Sequence, residues 1–131
     1  MKRKELREIA VKLFYEMDIQ KNFNNEFFNE FIVKNNLNDI EDNYVNILFD
    51  YFRDNQEKID DLIQNSSTSW DIKRIAKVDL SILRIATTEI LYIKDIPNKV
   101  SINEAIDLGK KYGDENAYKF INGLLGKIVQ N

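Results

Sequence analysis

Apolar residues recur at spacings of three and four along most of the chain, which places them on one face of an α-helix. In the first such segment Leu6, Leu13 and Met17 mark the centre of the buried stripe. The pattern predicts helices over residues 3–18, 25–35, 41–64, 78–93, 102–112 and 115–129, with a short turn of helix over 70–76. No segment shows the alternation of a β-strand, so the chain is predicted to be all-α.

Polar residues indicate where the helices of the first half begin and end. Asn24 and Asn25 form a start signal for the second helix. The polar stretch 53–58 marks a bend or a break within the third. The run Ser66-Ser67-Thr68-Ser69 is a loop that divides the chain nearly in half.

The second half carries its own boundary signals. Asp95-Ile96-Pro97-Asn98 reads as a turn in which Pro97 presets the φ angle. Ser101 stands three residues before Glu104, a spacing that predicts a capping box and a helix beginning at 102. Gly113 is predicted as a left-handed stop for that helix, and Asp114 as the cap of the last one.

The segment 78–93 is apolar almost all the way round a helical wheel, so it is expected to lie at the centre with other helices on several sides. Asp79 and Arg84 interrupt it. Two interpretations stay open. In the first, Asp79 caps the helix, and Arg84 forms an internal ion pair or is partly exposed. In the second, both residues help to dock a partner protein.

The length of 131 residues suits one domain, 1–131, with an N-terminal helical bundle over 1–65 and a C-terminal one over 70–131. The sequence contains neither histidine nor cysteine, which removes the commonest general base, nucleophile partner and transition-metal ligands. We therefore predict a protein that is not an enzyme and has no catalytic residue, metal or cofactor. No signal peptide or apolar segment long enough for a membrane span is present, so a cytoplasmic location is expected.

The net charge is −3, but the charged residues are unevenly distributed along the chain. Residues 1–15 hold five basic and two acidic side chains, which gives +3. Residues 16–65 hold four and twelve, which gives −8, and residues 66–131 hold ten and eight, which gives +2. This asymmetry favours a local polyanion-binding patch, although a solvated surface without a partner explains the charge equally well.

The first helix carries a candidate RNA-binding strip. On a wheel of about 100° per residue, Arg3, Lys4 and Arg7 share one flank with Tyr15, while Glu5 and Glu8 are assigned to the opposite flank. Single-stranded RNA needs cations for phosphates and flat groups on which unstacked bases can lie. The alternative is that Tyr15 packs at the core edge and the basic residues only keep the helix soluble.

The last helix offers a possible second half of this site. Asn116 and Phe120 lie in one row at the margin of its apolar stripe, and Lys111, Tyr112 and Lys119 are near them in sequence. Helical spacing alone makes Phe120 a core residue. The two halves form one RNA-binding surface only if the last helix and the residues before it lie beside the first helix.

Several separated motifs resemble the NusB transcription-antitermination family in order and spacing. They are WDIKRIAKVDLSILRIA from Trp70 to Ala86, Glu89, IPNKVSINEAIDL from Ile96 to Leu108, Tyr112-Gly113, and KFINGLL from Lys119 to Leu125. The first helix, with Arg7, Ala10, Leu13, Phe14 and Tyr15, is also similar to the family's opening. Residues 20–65 match only in helical pattern.

The resemblance implies about seven helices in two small bundles packed at a steep angle. It also implies binding of boxA RNA in ribosomal RNA leader transcripts, together with the ribosomal small-subunit protein NusE, within the transcription elongation complex. The implied RNA-binding residues are Lys2, Arg3, Lys4, Arg7, Tyr15, Lys111, Tyr112, Asn116, Lys119 and Phe120. The implied partner-binding residues are Asp79, Ile82 and Arg84.

One departure from the family pattern concerns the N-terminus, where Lys2-Arg3-Lys4 is followed by Glu5 in place of a denser arginine run. Lysine offers a point charge and not a planar fork, so RNA affinity is expected to be weaker or more dependent on the partner. Replacing Arg7 by Glu is expected to weaken RNA binding without unfolding the protein.

Two other classes remain. A homodimeric protein-interaction module would hide the same surface and bind RNA weakly. The RNA-binding domain of an RNA methyltransferase shares the helical module, but the sequence ends at Asn131 without a methyl-donor-binding domain.

Overall fold

A computed structural model describes residues 1–68 and 71–130, and over this range the chain forms seven α-helices and one short 3-10 helix. The α-helices are α1 (Arg3–Gln20), α2 (Asn25–Lys34), α3 (Tyr44–Asp54), α4 (Gln56–Ser66), α5 (Lys77–Tyr92), α6 (Asn98–Tyr112) and α7 (Ala117–Gln130). The 3-10 helix spans Ile72–Arg74 within the predicted turn 70–76. The predicted loop residue Ser69, the motif residue Trp70 and the terminal Asn131 lie outside the described residues.

The start of α2 confirms the asparagine signal, because the Asn24 side chain accepts the backbone N–H of Phe27 at 2.9 Å. The polar stretch after residue 52 is a break and not a bend, and it separates α3 from α4. At the break, the backbone N–H of Asn55 donates to the Phe52 carbonyl and its side-chain amide donates to the Tyr51 carbonyl. These two bonds satisfy carbonyls that the end of α3 would leave unpaired.

The predicted capping box of α6 is wrong. The helix begins at Asn98, directly after Pro97, and the backbone N–H groups of Val100 and Ser101 donate to the Pro97 carbonyl. Ser101 therefore lies inside the first turn, and its hydroxyl donates to Glu89 of α5 at 2.7 Å.

Gly113 ends α6, but not in the predicted left-handed conformation, since its φ and ψ are −86° and 179°. A Cβ atom at this position would lie 2.4 Å from Cβ of Ala117 and 2.8 Å from the Gly109 carbonyl oxygen. Glycine is needed here because α6 and α7 meet too closely for a side chain. Asp114 is not the N-cap residue of the last helix as predicted, because α7 begins at Ala117. Its carboxylate instead stabilises the turn before α7 by accepting the backbone N–H of Asn116 at 3.0 Å.

The α5 helix lies at the centre, as its apolar pattern predicts, and contacts α1, α3, α4, α6 and α7. Its residues Ile82, Leu83 and Ile85 are fully buried. Because α1 and α3 of the first half both pack on α5, the core is continuous from one half of the chain to the other. No helix in the described part of the chain is long and apolar enough to cross a membrane.

Candidate nucleic-acid interface

Side chains of α1 and α6 bridge the two helices, and the shortest of these polar contacts involve Glu8. The Glu8 carboxylate accepts hydrogen bonds from the Lys111 ammonium at 2.6 Å and the Tyr112 hydroxyl at 2.5 Å. These hydrogen bonds lower the pKa of Glu8 below its usual value. The exposed flank of α1 and the end of α6 therefore meet on one surface.

One turn earlier, Lys4 lies between Glu104 and Asp107 of α6, with both carboxylates 3.4 Å from its ammonium group. Attraction by Glu104, with a smaller contribution from Asp107, raises the pKa of Lys4. The lysine side chain remains 60% exposed. We call the patch formed by Lys4, Glu8, Lys111 and Tyr112 the α1–α6 surface.

The prediction that the acidic residues lie away from the cationic strip is wrong for Glu8, which is part of the α1–α6 surface. The Lys111 ammonium also lies 5.3 Å from the centroid of the Tyr112 ring, and Tyr112 is 44% exposed. The surface thus combines two lysines and an open aromatic ring with carboxylates that already engage the lysines.

Arg3 points away from α6, toward the start of α3. Its guanidinium donates two hydrogen bonds to Asp42, at 3.0 and 3.1 Å, and lies 4.7 Å from the centroid of the Tyr44 ring. The hydrogen bond from Arg3 is the main reason why the pKa of Asp42 is lowered. Lys2 is exposed, and its backbone N–H donates to Glu5 at the start of α1.

Arg7 is not a surface residue, which corrects the predicted strip. It is 5% exposed, and its guanidinium donates to both carboxylate oxygens of Glu89, at 2.9 and 3.1 Å. Burial alone would lower the pKa of Arg7, but hydrogen bonding and attraction from Glu89 raise it above its usual value. Replacement of Arg7 by Glu would place two carboxylates together in the interior. The variant should therefore be strongly destabilised, which corrects the expectation that it keeps its fold.

The Glu89 carboxylate also accepts hydrogen bonds from the hydroxyls of Tyr44 and Ser101. Burial, followed by attraction from Glu89, raises the pKa of Tyr44 well above its usual value. Sequence reasoning overlooked this network. The signal was Glu89 itself, a carboxylate in an otherwise apolar helix that must have a buried partner.

The start of α7 lies beside the start of α5. Phe120 is half-buried and lines a pocket of about 300 Å³ together with Ile75, Asp79 and Asn116. Lys119 is exposed, 5.9 Å from the centroid of the Tyr118 ring. The pocket therefore joins two predicted RNA-binding residues to a predicted partner-binding one.

Tyr15 lies two turns beyond Glu8 on α1 and is 38% exposed. It lines a pocket of about 290 Å³ between α1 and α2, with Phe27 and Phe31 among the other lining residues. The pocket contains no residue of α6 or α7. Tyr15 thus lies on the α2 side of α1, apart from the predicted residues near the start of α7.

Asp79, one of the predicted partner-binding residues, borders the pocket that Phe120 lines. It does not cap α5, which begins at Lys77 with Ala76 as its N-cap residue. Burial, with a smaller contribution from Asp114, raises the pKa of Asp79. Ile82 is 0% exposed, so the prediction that it contacts a partner does not fit this structure.

Arg84 is also an interior residue, which agrees with the interpretation that it forms an internal ion pair. Its guanidinium donates twice to Asp60, at 2.9 Å each, and lies 3.5 Å from Asp18. The rings of Phe23 and Phe52 lie 5.4 and 5.7 Å from it. These contacts hold α5 against α4 and the end of α1, and they leave no guanidinium surface for docking.

No group of three or more acidic residues suited to a metal ion occurs within residues 1–68 and 71–130. The arrangement of lysines, open aromatic rings and an amide fits the recognition of phosphates and unstacked bases better than it fits bond-breaking chemistry.

Comparison with known proteins identifies the relatives of the chain. The model of the NusB family matches residues 4–130. The transcription antitermination protein NusB of Clostridium novyi (strain NT) is 42% identical over 137 residues, covering 99% of both chains. The protein of the same name from Alkaliphilus oremlandii (strain OhILAs) is 43% identical over 130 residues, covering 99% of this chain and 94% of that protein.

Solved structures give the same result. T. maritima NusB is 30% identical and superposes with a TM-score of 0.88 over 100% of this chain and 92% of that one. A chain from a crystal structure of the antitermination factors NusB and NusE in complex with dsRNA is 29% identical, with a TM-score of 0.85 over 98% of this chain and 96% of that one.

Proposed function

The chain belongs to the NusB family of transcription antitermination proteins, and from this we propose that it binds a single-stranded boxA-type element of ribosomal RNA leader transcripts together with NusE. As a member it is a non-catalytic antitermination factor. The observation that carries the RNA-binding proposal is the contact of Lys111 and Tyr112 with Glu8, which unites α1 and the end of α6 in one exposed surface. The related structure of NusB and NusE in complex with dsRNA supports NusE and RNA as partners, while the single-stranded boxA element rests on membership of the family.

In this proposal the exposed cations contact phosphates and the open rings receive bases. Lys2, Lys4, Lys111 and Lys119 supply the charges. Tyr112 and Phe120 supply the rings, and the Asn116 amide can bond to a base edge. Arg3 keeps a partly exposed guanidinium next to Asp42. Arg7 supports the surface from inside and does not touch RNA.

Carboxylates limit how tightly this surface can bind a phosphate. Glu8 occupies Lys111, while Glu104 and Asp107 occupy Lys4. A phosphate must compete with these carboxylates for each lysine, so RNA alone is expected to bind weakly. A partner that brings its own cations to adjacent nucleotides would then raise the affinity.

The pocket of Asp79, Asn116 and Phe120 is the proposed site for NusE. Asp79 is 8% exposed and has a raised pKa because of burial, so a basic side chain of a partner would relieve an unfavourable charge. Phe120 borders the same pocket, so a partner seated there would lie next to bound RNA. Action within the transcription elongation complex, in the cytoplasm where leader transcripts are made, is part of the same proposal.

The test is a gel-shift titration of boxA RNA with the protein, with NusE and with both, at several salt concentrations. We expect weak binding by the protein alone, tighter binding with NusE, and a steep loss of affinity as salt rises. An unrelated single-stranded RNA of equal length and a duplex of boxA serve as competitors. Equal affinity for boxA and the unrelated RNA, with or without NusE, would reject the proposed specificity.

A homodimer is the second candidate, favoured by exposed apolar side chains on α1 and α2. Ile19 is 47% exposed and Val33 is 63% exposed. Light scattering with and without boxA RNA separates the two candidates. A stable dimer whose mass does not change when RNA is added supports the protein-interaction module. A monomer that binds RNA supports the proposed RNA-binding factor.

A further inference from the structure

A further pocket lies on the α3 side of the first helix, outside the α1–α6 surface. It has a volume of about 300 Å³ and is bounded by the start of α1, by α3 and by the end of α5. Its lining includes Arg3 and Lys94 as cations and Tyr51 and Tyr92 as aromatic rings. Neither tyrosine belongs to the sequence motifs that resemble the NusB family.

Tyr51 and Tyr92 form an aromatic platform in which the two rings face each other, so that each leaves its outer face for a base. Their rings are stacked, with centroids 5.4 Å apart and planes inclined by 11°. Tyr51 is 40% exposed, so the platform is open to solvent on the α3 side. Nucleic-acid bases stack on such rings regardless of base identity, because every base has a π-face.

Cations surround the platform. The Lys58 ammonium lies 6.0 Å from the centroid of the Tyr92 ring, and Arg3 and Lys94 line the pocket itself. Within the described chain, Asp95 is the one carboxylate among the lining residues. Asp42 already binds the Arg3 guanidinium, so a phosphate would compete with it for Arg3 and would find Lys94 in the same pocket. The aromatic rings beside these cations favour a nucleic acid over an acidic peptide.

The hydroxyl of Tyr92 gives an independent indication of a ligand. Its oxygen is buried and has no hydrogen-bond partner among the described residues. Buried polar groups are normally paired, and one left unpaired beside a pocket favours any ligand that offers it a partner. Base edges and ribose hydroxyls are such partners.

We propose that this pocket is a subsite for one unstacked base of RNA that continues past the α1–α6 surface and around the start of α1. The base stacks on the outer face of Tyr51, with Tyr92 behind it, a ribose hydroxyl at the edge of the stack bonds to the Tyr92 hydroxyl, and Arg3 or Lys94 contacts the adjoining phosphate. Arg3 provides the continuity, because it precedes Lys4 on α1 and lines this pocket. The inference rests on the proposed RNA-binding function and extends its footprint beyond the boxA element.

The test uses boxA RNA without flanks and the same RNA extended by four uridines on either the 5′ or the 3′ side. We expect one extension to raise wild-type affinity about tenfold, the gain typical of one stacked base. Tyr51→Ala should lose that gain and keep the affinity for unextended boxA. Tyr51→Phe should keep both, and Val129→Ala, which removes an exposed apolar side chain at the end of α7, serves as the control.

A fluorescent base reports the stacking directly. With 2-aminopurine in the flank, binding to wild-type protein and to Tyr51→Phe should quench its fluorescence, and binding to Tyr51→Ala should not. Tyr92→Phe tests the hydroxyl: it should reduce the gain from the flank without abolishing quenching. Circular dichroism of each variant confirms that the fold is retained.

The outcomes separate this proposal from the one on which it depends. Tight binding of boxA with no gain from either flank overturns the subsite and leaves the proposed function standing. Failure to bind any boxA RNA, alone or with NusE, overturns both. An unchanged flank gain in Tyr51→Ala, accompanied by weaker binding of NusE or weaker self-association, would make the tyrosine platform a protein-docking surface and overturn the RNA subsite.

Discussion

The Arg7 guanidinium and the Glu89 carboxylate form a two-pronged ion pair in the protein interior, with N–O distances of 2.9 and 3.1 Å. Because Tyr44 and Ser101 donate to the same carboxylate, Glu89 of α5 collects donors from α1, α3 and α6. One side chain thereby fixes the relative positions of three helices, including the helix that carries the proposed RNA-binding lysine Lys4.

Loss of one partner of this pair should destabilise the protein strongly. We expect Arg7→Met to lower the free energy of unfolding by about 3–5 kcal/mol, because it leaves the buried Glu89 charge uncompensated. The double variant Arg7→Met/Glu89→Gln should recover part of that loss, since glutamine is neutral and still accepts hydrogen bonds. Urea unfolding followed by circular dichroism measures both. A single variant as stable as the wild type would show that the pair does not hold the helices together.

Changes at Glu8 and Lys111 should shift RNA affinity in opposite directions. We expect Glu8→Gln to raise affinity for boxA RNA several-fold, because it removes the carboxylate that occupies Lys111. Lys111→Ala should lower affinity and reduce the slope of log affinity against log salt by about one. Lys34→Ala, an exposed lysine of α2, is the control and should change neither quantity. The proposed surface is wrong if all three variants behave alike.

The charge on Asp79 should make stability depend on pH. Burial raises its pKa in the folded protein, so the folded state favours the protonated acid. That contribution is fully present below the unfolded-state pKa and is lost as pH rises through the folded-state pKa. Asp79→Asn stays neutral, so we expect it to stabilise the free protein at pH 7 by less than about 2 kcal/mol and to make no difference near pH 3.

The same variant should weaken the complex with NusE if Asp79 meets a basic side chain there. Thermal unfolding at the two pH values and a pull-down with NusE test the two effects separately. Asp39→Asn, at an exposed position, is the control for a general effect of removing one negative charge. A variant that is less stable than the wild type at pH 7 would contradict the burial argument.

Replacement by alanine should change stability in opposite directions at two glycines. Gly113→Ala would force a Cβ atom against Ala117, so we expect a loss of about 1–3 kcal/mol. RNA affinity should fall as well, because the turn carries Tyr112 and Asn116. Gly126→Ala meets nothing within 4 Å and should stabilise α7 by about 0.5–1 kcal/mol. Equal effects of the two substitutions on the unfolding midpoint would contradict the close approach of α6 and α7.

Local signals predicted most of the helices. The Asn24 cap, the polar stretch after residue 52 and the apolar surface of 78–93 each depend on residues close together in sequence, and each prediction is confirmed. The capping box at Ser101 failed although its spacing was right. Pro97 starts the helix earlier, and the Ser101 hydroxyl is used by Glu89, twelve residues away.

The candidate site was harder to predict because it depends on contacts between distant residues. A helical wheel places Arg7 at the edge of the apolar stripe, where either burial or exposure is compatible with the pattern. Its partner Glu89 is 82 residues away, and the wheel of one helix cannot show it. Glu8 is a different case: it follows Lys4 by four residues, so the wheel itself places it near Lys4, and its assignment to the opposite flank was a misreading of the wheel. What the wheel of α1 cannot show is that Lys111 and Tyr112 of α6 bind this carboxylate.

The central position of α5 also determines how the protein should open. Its backbone amides are covered by five other helices, so their hydrogen exchange should require unfolding of the whole molecule. Helix α2 packs on α1 and, through the stacked rings of Phe28 and Phe49, on α3, but it lies outside the group of helices that cover α5. Its amides should therefore exchange before those of α5, through local fraying. Mass-spectrometric exchange would therefore show protection decreasing outward from α5, and a uniform rate across all seven helices would contradict it. A slowly exchanging centre with an earlier-exchanging α2 would let the ends of that helix fray without loosening the surface proposed for RNA.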